Sequence, residues 1–189
     1  MSNKVKFGLK NVRVFPIDST DEDGKPTYGD VIRVPGAVNI TLDPEESEEP
    51  FHADDVVYYI SVANSGYTGS LEIANTPLAY RTEILGEVTG EDGVTVETVA
   101  DKRKEFALAF EFTGDEKGIR HLFYRVSTGR PAVSGATRTD TATPQTDSLD
   151  LTAMGRQDNG YIKAYADADS AAYATWLESV HEPVADPAP

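Results

Sequence analysis

Cysteine is absent from this chain of 189 residues. Its absence excludes a disulfide framework and thiolate metal sites, and it fits folding in a reducing cytoplasm. The sequence also lacks a run of about eighteen apolar residues, so no membrane-spanning helix and no membrane partner are expected. The N-terminal stretch MSNKVKFGLKNVRVF is basic but alternates in polarity instead of forming an apolar block, so we expect no signal peptide.

Positive charge is scarce. The chain has 17 Lys and Arg residues against 32 Asp and Glu residues, which gives a formal net charge of −15. Such an acidic surface repels phosphate, so ordinary binding to DNA or RNA through counterion release is not expected. The same charge keeps monomers apart, and any self-association must therefore be specific enough to overcome the repulsion.

Recognisable catalytic motifs are missing too: there is no phosphate-binding G-x-x-x-x-G-K-[ST], no G-x-S-x-G and no H-E-x-x-H. His52, His121 and His181 lie far apart in sequence, and His52 beside Asp54 and Asp55 is more typical of a surface histidine than of a metal ligand. We therefore predict a protein that is not an enzyme and needs no cofactor. A hydrolytic carboxylate pair stays open, because the separation between acids is invisible in sequence.

The segment 19–30 matches a calcium-binding loop at several positions, with Ser19 first and Asp30 last. Against calcium, Pro26 occupies the eighth position, where such loops usually place an aliphatic residue, and no helix flanks the segment. An acid-rich turn between strands is the favoured interpretation.

In most of the rest of the chain, apolar and polar residues alternate with a period of two, which predicts strands. The predicted strands cover 31–43 (broken at Pro35-Gly36), 55–63, 67–74, 105–112, 119–127, 148–154 and 160–165. In 31–43, Val38, Ile40 and Leu42 share one face. Asn64-Ser65-Gly66 is interpreted as a hairpin turn joining 55–63 to 67–74, and 160–165 is expected to pair with 148–154. The acid-rich DPEESEEP, residues 43–50, is predicted to be a loop.

Two segments favour helix. Thr76 is a suitable N-cap for 77–85, which ends at Gly86, and Ser170 is a suitable cap for 171–180. The predicted fold class is α+β, mostly β: an antiparallel β-sandwich or barrel with one or two flanking helices. The expected domain covers 1–181 with an N-terminal arm, followed by a flexible Pro/Ala tail, 182–189.

The aromatic residues allow three interpretations. They would line a sugar-binding groove, pack in the core and across strands, or form a subunit interface. Core packing is favoured, because most of them lie within predicted strands. The residues concerned are Tyr58, Tyr59, Tyr67, Tyr80, Phe123 and Tyr124.

Several blocks of sequence together resemble one family. KFGLKNV, VPGAVNITLDPE, PFHADDVVYY, NSGYTGSLEIA, FALAFEFTGDEKGIRHLFYRVS and TPQTDSLDLTA, in this order between about Lys4 and Trp176, are similar to the major tail proteins of long, non-contractile-tailed bacteriophages. The acid-rich DPEESEEP and the chain after Glu182 depart from the resemblance.

The resemblance implies a β-sandwich subunit that forms hexameric rings, stacked into a tail tube that conducts genome DNA without binding it specifically. It further implies location in the virion, and in the host cytoplasm during assembly. The implied partners are copies of the chain and the tape-measure, terminator and distal tail proteins. The alternative is a β-sandwich carbohydrate-binding module, also on a virion.

On this hypothesis, specific residues are candidates for contacts between subunits or rings. The segment 54–63 is expected near a subunit boundary. The segment 43–55 is expected to be a mobile loop that becomes ordered on contact with basic residues of the next ring. Besides Lys4 and Lys6, the candidates for these basic residues are Lys10 and Arg13. The contact candidates are Phe51, Asp54, Asp55, Tyr58, Tyr59, Glu45, Glu46, Lys4 and Lys6. Acids predicted to face the lumen are Glu72, Glu97 and Asp150.

Overall fold

The structure is a computed structural model that describes residues 5–53, 55–114, 117–137 and 144–183, with only the backbone of residues 49, 52 and 53. Nearly all its regular structure is β. Within the described residues, the strands are β1 (Lys6–Thr20), β2 (Pro26–Tyr28), β3 (Ile32–Arg33), β4 (Ala37–Ala53), β5 (Val56–Ile73), β6 (Val88–Thr89), β7 (Thr95–Val96), β8 (Phe106–Gly114), β9 (Ile119–Thr128), β10 (Asp147–Met154) and β11 (Lys163–Asp167).

The main sheet is antiparallel and has the strand order β2-β1-β8-β9-β10-β5-β4, with β3 added to β1 and β11 added to β9. Strands β10 and β11 share one edge of β9: β10 pairs with residues 125–128 of β9 and β11 with residues 119–123. The predicted pairing of 160–165 with 148–154 is therefore wrong. The chain bends after β10 and continues beside the other half of β9.

Strand β8 shows why the sheet is covered on both faces. Phe106, Leu108 and Phe110 enter the main core, as their spacing predicts, whereas the intervening Ala107 and Ala109 enter a second apolar cluster on the opposite face. Both sets are buried. The predicted fold class is confirmed: the protein is α+β, mostly antiparallel β, with a sandwich-like arrangement.

One short helical segment flanks the sheet. It begins as the α-helix α1 (Leu78–Tyr80), continues as a π-helical turn (Arg81–Leu85) and ends at Gly86, whose φ is 80°. The predicted segment is thus helical, but Thr76 does not cap it. The N–H and hydroxyl of Thr76 both donate to Asp147 Oδ2, at 2.8 and 2.6 Å, and so join the segment to β10.

The second predicted helix, 171–180, is instead a series of turns. Hydrogen bonds run from the Tyr173 N–H to the Ser170 carbonyl and from the Trp176 N–H to the Tyr173 carbonyl, a spacing of three residues. The Tyr173 carbonyl also accepts a hydrogen bond from Arg120 of the sheet, which competes with helical pairing. The apolar side chains of this segment still pack on the sheet: Trp176 is buried in the second cluster, with Tyr173, Leu177 and Val180 packed against it.

The C-terminal segment is tied to the body by a buried cation. Arg156 is 3% exposed and pairs with Asp158 and, at 2.7 Å, with Glu182. Glu182 therefore packs on the domain, although the sequence places it in the flexible tail; residues 184–189 lie outside the described part of the chain.

A buried acid links three strands. Glu111 of β8 is 4% exposed and accepts hydrogen bonds from Asn11 of β1 and Arg120 of β9, while Lys10 lies 3.1 Å from its other oxygen. A bulge in β1 makes this possible, with Asn11 at φ 57°. Burial raises the pKa of Glu111, but the hydrogen bonds from Lys10, Asn11 and Arg120 outweigh it, and the net pKa is lowered.

We predict that this acid makes stability depend on pH. Because the pKa is lowered in the folded state, charged Glu111 stabilises the fold above the pKa of an unfolded glutamate, about 4.3, and this contribution is lost as the pH falls through the folded-state pKa. Glu111→Gln should cost about 1.5–3 kcal/mol at pH 7, the range for hydrogen bonds to charged groups. The difference from the unmodified protein should shrink at acid pH.

Urea denaturation at pH 7 and at acid pH measures the loss of stability in Glu111→Gln and its dependence on pH. Glu97→Gln is the matched control, since Glu97 forms an exposed ion pair with Arg130 at 2.9 Å and should change stability little. A Glu111→Gln penalty that stays constant with pH would contradict the prediction.

Candidate assembly surfaces

The hairpin of β4 and β5 extends past the rest of the sheet. Its proximal half pairs with β10 as far as Tyr67, which lies opposite Ala153. Beyond that point β4 and β5 pair only with each other, up to Ala53 opposite Val56. We call residues 46–53 of β4 and 56–64 of β5 the arm. At about 3.3 Å per residue, the arm extends about 30 Å.

This finding corrects two predictions. Residues 43–50 form a strand of the hairpin instead of a loop, and the expected mobile loop 43–55 is mostly β4. Segments 55–63 and 67–74 are not hairpin partners, because they belong to the one strand β5. Asp55, at φ 61°, lies at the true reversal of the chain, whereas Asp54 is outside the described residues.

The arm exposes apolar side chains on both of its faces. Tyr58 is 73% exposed and Tyr59 63%, and neighbouring residues alternate between the two faces of a strand. The large exposed apolar residues of the arm are Phe51, Val56, Val57, Tyr58, Tyr59, Ile60 and Val62. Contiguous exposed apolar surface of this kind marks a site of interaction.

The backbone of the arm is open as well. Strand β4 is at the end of the sheet order, and the distal part of β5 has lost its pairing with β10. Both edges therefore present unpaired N–H and C=O groups to an additional strand. An isolated two-stranded hairpin is only marginally stable in water, so the arm gains stability from any partner that covers it.

Charge is divided unequally between the two strands of the arm. The outer strand β4 carries Asp43, Glu45, Glu46, Glu48 and Glu49, whereas β5 has no charged residue before Glu72. Among the described side chains of these β4 acids, Glu45 accepts a hydrogen bond from Thr68, and no ion pair with a cation occurs. The hairpin thus combines an apolar strand with an acidic strand whose described carboxylates have no cation partner.

Gly66 is located where β5 leaves β10. Its φ is 119°, and a Cβ placed there would lie 2.1 Å from the carbonyl oxygen of Ala153. The side chain of Asn64 accepts a hydrogen bond from the Gly66 N–H at 3.0 Å, and the β4–β5 register shifts here. The Asn-Ser-Gly sequence therefore forms a bulge at the base of the arm instead of the predicted turn.

A second surface is polar and flat. Three rows of directly paired residues cross β4, β5 and β10 on the outward face, and we call these nine residues the polar face. The rows are Asn39–Glu72–Ser148, Thr41–Ser70–Asp150 and Asp43–Thr68–Thr152. The face contains three acids, no cation and otherwise short polar side chains, so it is smooth and electronegative.

The predicted site residues separate into distinct places. Phe51, Tyr58 and Tyr59 lie together on the arm, Asp55 lies at its tip, and Glu45 and Glu46 lie at its base. Lys6 is elsewhere, on β1, with its ammonium group 5.0 Å from the ring of Phe112. Lys4 lies outside the described residues.

The three lumen candidates are also divided. Glu72 and Asp150 share the polar face, whereas Glu97 follows β7 and pairs with Arg130.

Val38, Ile40 and Leu42 are predicted to share one face of β4, but Val38 is 55% exposed whereas Ile40 and Leu42 are half-buried. The reason is that the β4–β5 register shifts between Ala37 and Asn39. Arg33 is not among the site residues predicted from the sequence, because its position beside Arg13 depends on the pairing of β1 with β3.

Two further candidate sites, the aromatic sugar-binding groove and the calcium-binding loop, are not formed by the described residues. Tyr80, Phe123 and Tyr124 are buried, and Tyr67 packs edge-on against Phe123, so these aromatics are core residues. In the segment 19–30, Asp21 Oδ1 accepts hydrogen bonds from two backbone N–H groups of its own turn. Among the described residues, no group of three His, Cys, Asp or Glu side chains is arranged to hold a metal.

His121 has a structural environment. Its ring stacks on Phe110 with a centroid distance of 5.3 Å. Burial, with smaller contributions from Lys6 and Lys163, lowers the pKa of His121 to about 4, so the ring is neutral at physiological pH.

Comparison with family models and with curated protein sequences gave no match. No helix within the described residues is long and apolar enough to cross a membrane.

We predict that Gly66→Ala destabilises the protein and disturbs the base of the arm. The added Cβ meets the Ala153 carbonyl, and the left-handed φ strains any side chain, so the expected cost is about 1–3 kcal/mol or more. Thermal unfolding measures the cost. Gly8→Ala, in an exposed part of β1 with no atom within 4 Å of the added Cβ, is the control; equal midpoints for both variants would contradict the prediction.

Proposed function

We propose that this protein is a structural subunit that assembles with copies of itself through the arm, and that the assembly is a phage tail tube. The observation that carries the proposal is the arm: a two-stranded ribbon with apolar residues on both faces and two open backbone edges. A ribbon of this composition is poorly suited to remain in water. A neighbouring subunit would cover both faces and extend the sheet.

Self-association fits this surface better than small-molecule binding does. The arm projects from the sheet and is not a concave, enclosed pocket of the kind that small ligands occupy. Strand addition supplies main-chain hydrogen bonds without a specific ligand, and a head-to-tail contact repeated by rotation closes a ring. Rings of this kind, stacked on one another, form a tube.

The tube itself is proposed from the sequence resemblance and from the polar face. A conduit for DNA needs a wall that does not hold phosphate, and the polar face offers acids and hydroxyls without a cation. Strands hold these side chains in fixed rows, and an acidic wall repels the duplex over a Debye length of about 8 Å at physiological salt. This arrangement supports a lumen position for Glu72 and Asp150.

The carbohydrate-binding alternative has less support. Of the six aromatic residues that could have lined a sugar groove, Tyr58 and Tyr59 are exposed, and successive residues of a strand point to opposite faces. They do not form a shared stacking platform on one face.

The assembly proposal is tested by placing a charge on the arm. Tyr58→Lys and Tyr59→Lys should each leave a folded monomer that does not assemble, because an ammonium group cannot be buried in an apolar contact without a partner. Sedimentation velocity and negative-stain microscopy of the concentrated protein measure rings and tubes, and circular dichroism confirms folding.

Tyr165→Lys is the matched control, because Tyr165 is 67% exposed but lies on β11, away from the arm. We expect this variant to assemble as the unmodified protein does. Normal tubes from both arm variants would exclude the arm as the contact, and an unmodified chain that stays monomeric at high concentration would exclude self-assembly.

The lumen position is tested by reversing the charge of the polar face. Tubes of the double variant Glu72→Lys and Asp150→Lys should retain short duplex DNA in a nuclease-protected form at low salt, because Lys binds phosphate. Unmodified tubes should not retain it. Glu97→Lys, which is off this face, is the control. No retention by the double variant, or equal retention by the control, would place these acids outside the lumen.

A further inference from the structure

Two arginines lie directly opposite each other on neighbouring strands. Arg13 of β1 and Arg33 of β3 are cross-strand partners, and the next pair, Val14 and Ile32, is buried in the core. Side chains alternate between the faces of a strand, so both arginines are on the outer face of the sheet. Like charges directly opposite each other destabilise a sheet.

No carboxylate among the described side chains relieves this repulsion. In the described ranges, Arg13 donates to the neighbouring Val12 carbonyl at 3.1 Å, and neither Arg13 nor Arg33 forms an ion pair with a carboxylate. Burial, and then the charge of Arg33, lower the pKa of Arg13 below the ordinary arginine value. An unneutralised pair of cations is unexpected in a chain that has 32 acids.

The two arginines border a groove of about 320 Å³. Its walls come from residues 9–13 of β1 and residues 33–37 leading into β4, and they are partly apolar (Leu9, Val34, Pro35) and partly cationic. Lys10 adds a third cation at the rim, although it is shared with Glu111. We call this site the arginine groove. It suits a ligand that has both carboxylates and apolar groups.

The acidic strand of the arm has the complementary composition. Its glutamates have no cation partner among the described side chains, and the adjacent strand β5 is apolar. The arm cannot fill the groove of its own chain, because Ala37 lines the groove and β4 leads away from it. Glu46 lies about 30 Å farther along that extended strand.

We propose that the arginine groove receives the acidic β4 strand of the arm from a second copy of the chain, with Arg13 and Arg33 binding the carboxylates of Glu46 and Glu48. Arginine binds carboxylates through two parallel N–H···O bonds, which gives geometric specificity as well as affinity. The inference rests on the proposed self-assembly and identifies the receiving site.

Charge exchange between the two surfaces tests this pairing. One variant carries Arg13→Glu and Arg33→Glu, and a second carries Glu46→Lys and Glu48→Lys. Each alone should raise the protein concentration needed for assembly by about tenfold or more, equivalent to about 1.4 kcal/mol. Mixing the two variants should restore assembly, because the reversed groove of one variant then meets the reversed arm of the other, and the original groove meets the original arm, so that both contacts join opposite charges.

The measurement is sedimentation velocity over a concentration series, with circular dichroism and thermal unfolding to confirm that each variant is folded. Lys102→Glu, at an exposed cation outside the groove, is the control for reversing a surface charge elsewhere on the chain and should assemble normally. The mixture also separates misfolding from lost contact, since two misfolded chains would not rescue each other.

The outcomes distinguish the proposed self-assembly from the proposed pairing of the arm with the arginine groove. If the unmodified chain never assembles, the proposed function and this inference are both wrong. If it assembles and the groove variant assembles equally well, the arginine groove alone is wrong. Loss of assembly in both variants without rescue in the mixture would also overturn the direct pairing of these arginines with these glutamates.

Discussion

The structure depends on the point at which β5 loses its pairing with β10. As far as Tyr67, β5 is an interior strand whose alternate residues are buried; one residue earlier, at Gly66, the sheet narrows to two strands. At Gly66 the two backbones approach so closely that a Cβ added there would lie 2.1 Å from the carbonyl oxygen of Ala153. Beyond Gly66, burial within the described part of the chain ends, and the large apolar side chains of the arm are exposed.

The core of the body does not include the arm, since neither apolar cluster contains a described residue of 46–53 or 56–64. Apolar clusters cover both faces of the sheet, and Glu111 joins β1, β8 and β9 through three polar partners. Breaking one partner of a buried charge is costly, so this connection holds the strands in register. The interactions that fold the body are thus separate from the exposed apolar surface of the arm, which is why the proposed assembly can be tested with charged arm variants that keep the fold.

The sequence predicts the body better than the arm for a physical reason. In β8, phenylalanine and leucine side chains lie on one face and alanine side chains on the other, so the alternation of large and small apolar residues predicts a strand that is buried on both faces. In the arm both faces are exposed, and no burial pattern distinguishes strand from loop; the acids and prolines of 43–50 then favour a loop. Asn-Ser-Gly is equally suited to a turn and to a bulge. The Arg13–Arg33 juxtaposition depends on nonlocal pairing, which no local pattern reports.

The separation of the acidic arm from the arginine groove limits the possible assemblies. On the proposed pairing, the arm of one chain does not reach its own groove, so each chain would offer one donor surface and one acceptor surface, and every contact would join unlike surfaces. Two chains could exchange arms reciprocally, which gives a closed dimer with two-fold symmetry, or pass them in one direction, which gives a ring or an open helix. In either arrangement each body carries a net charge of −15, so the attraction between arginine and carboxylate at the contact has to offset the repulsion between the bodies.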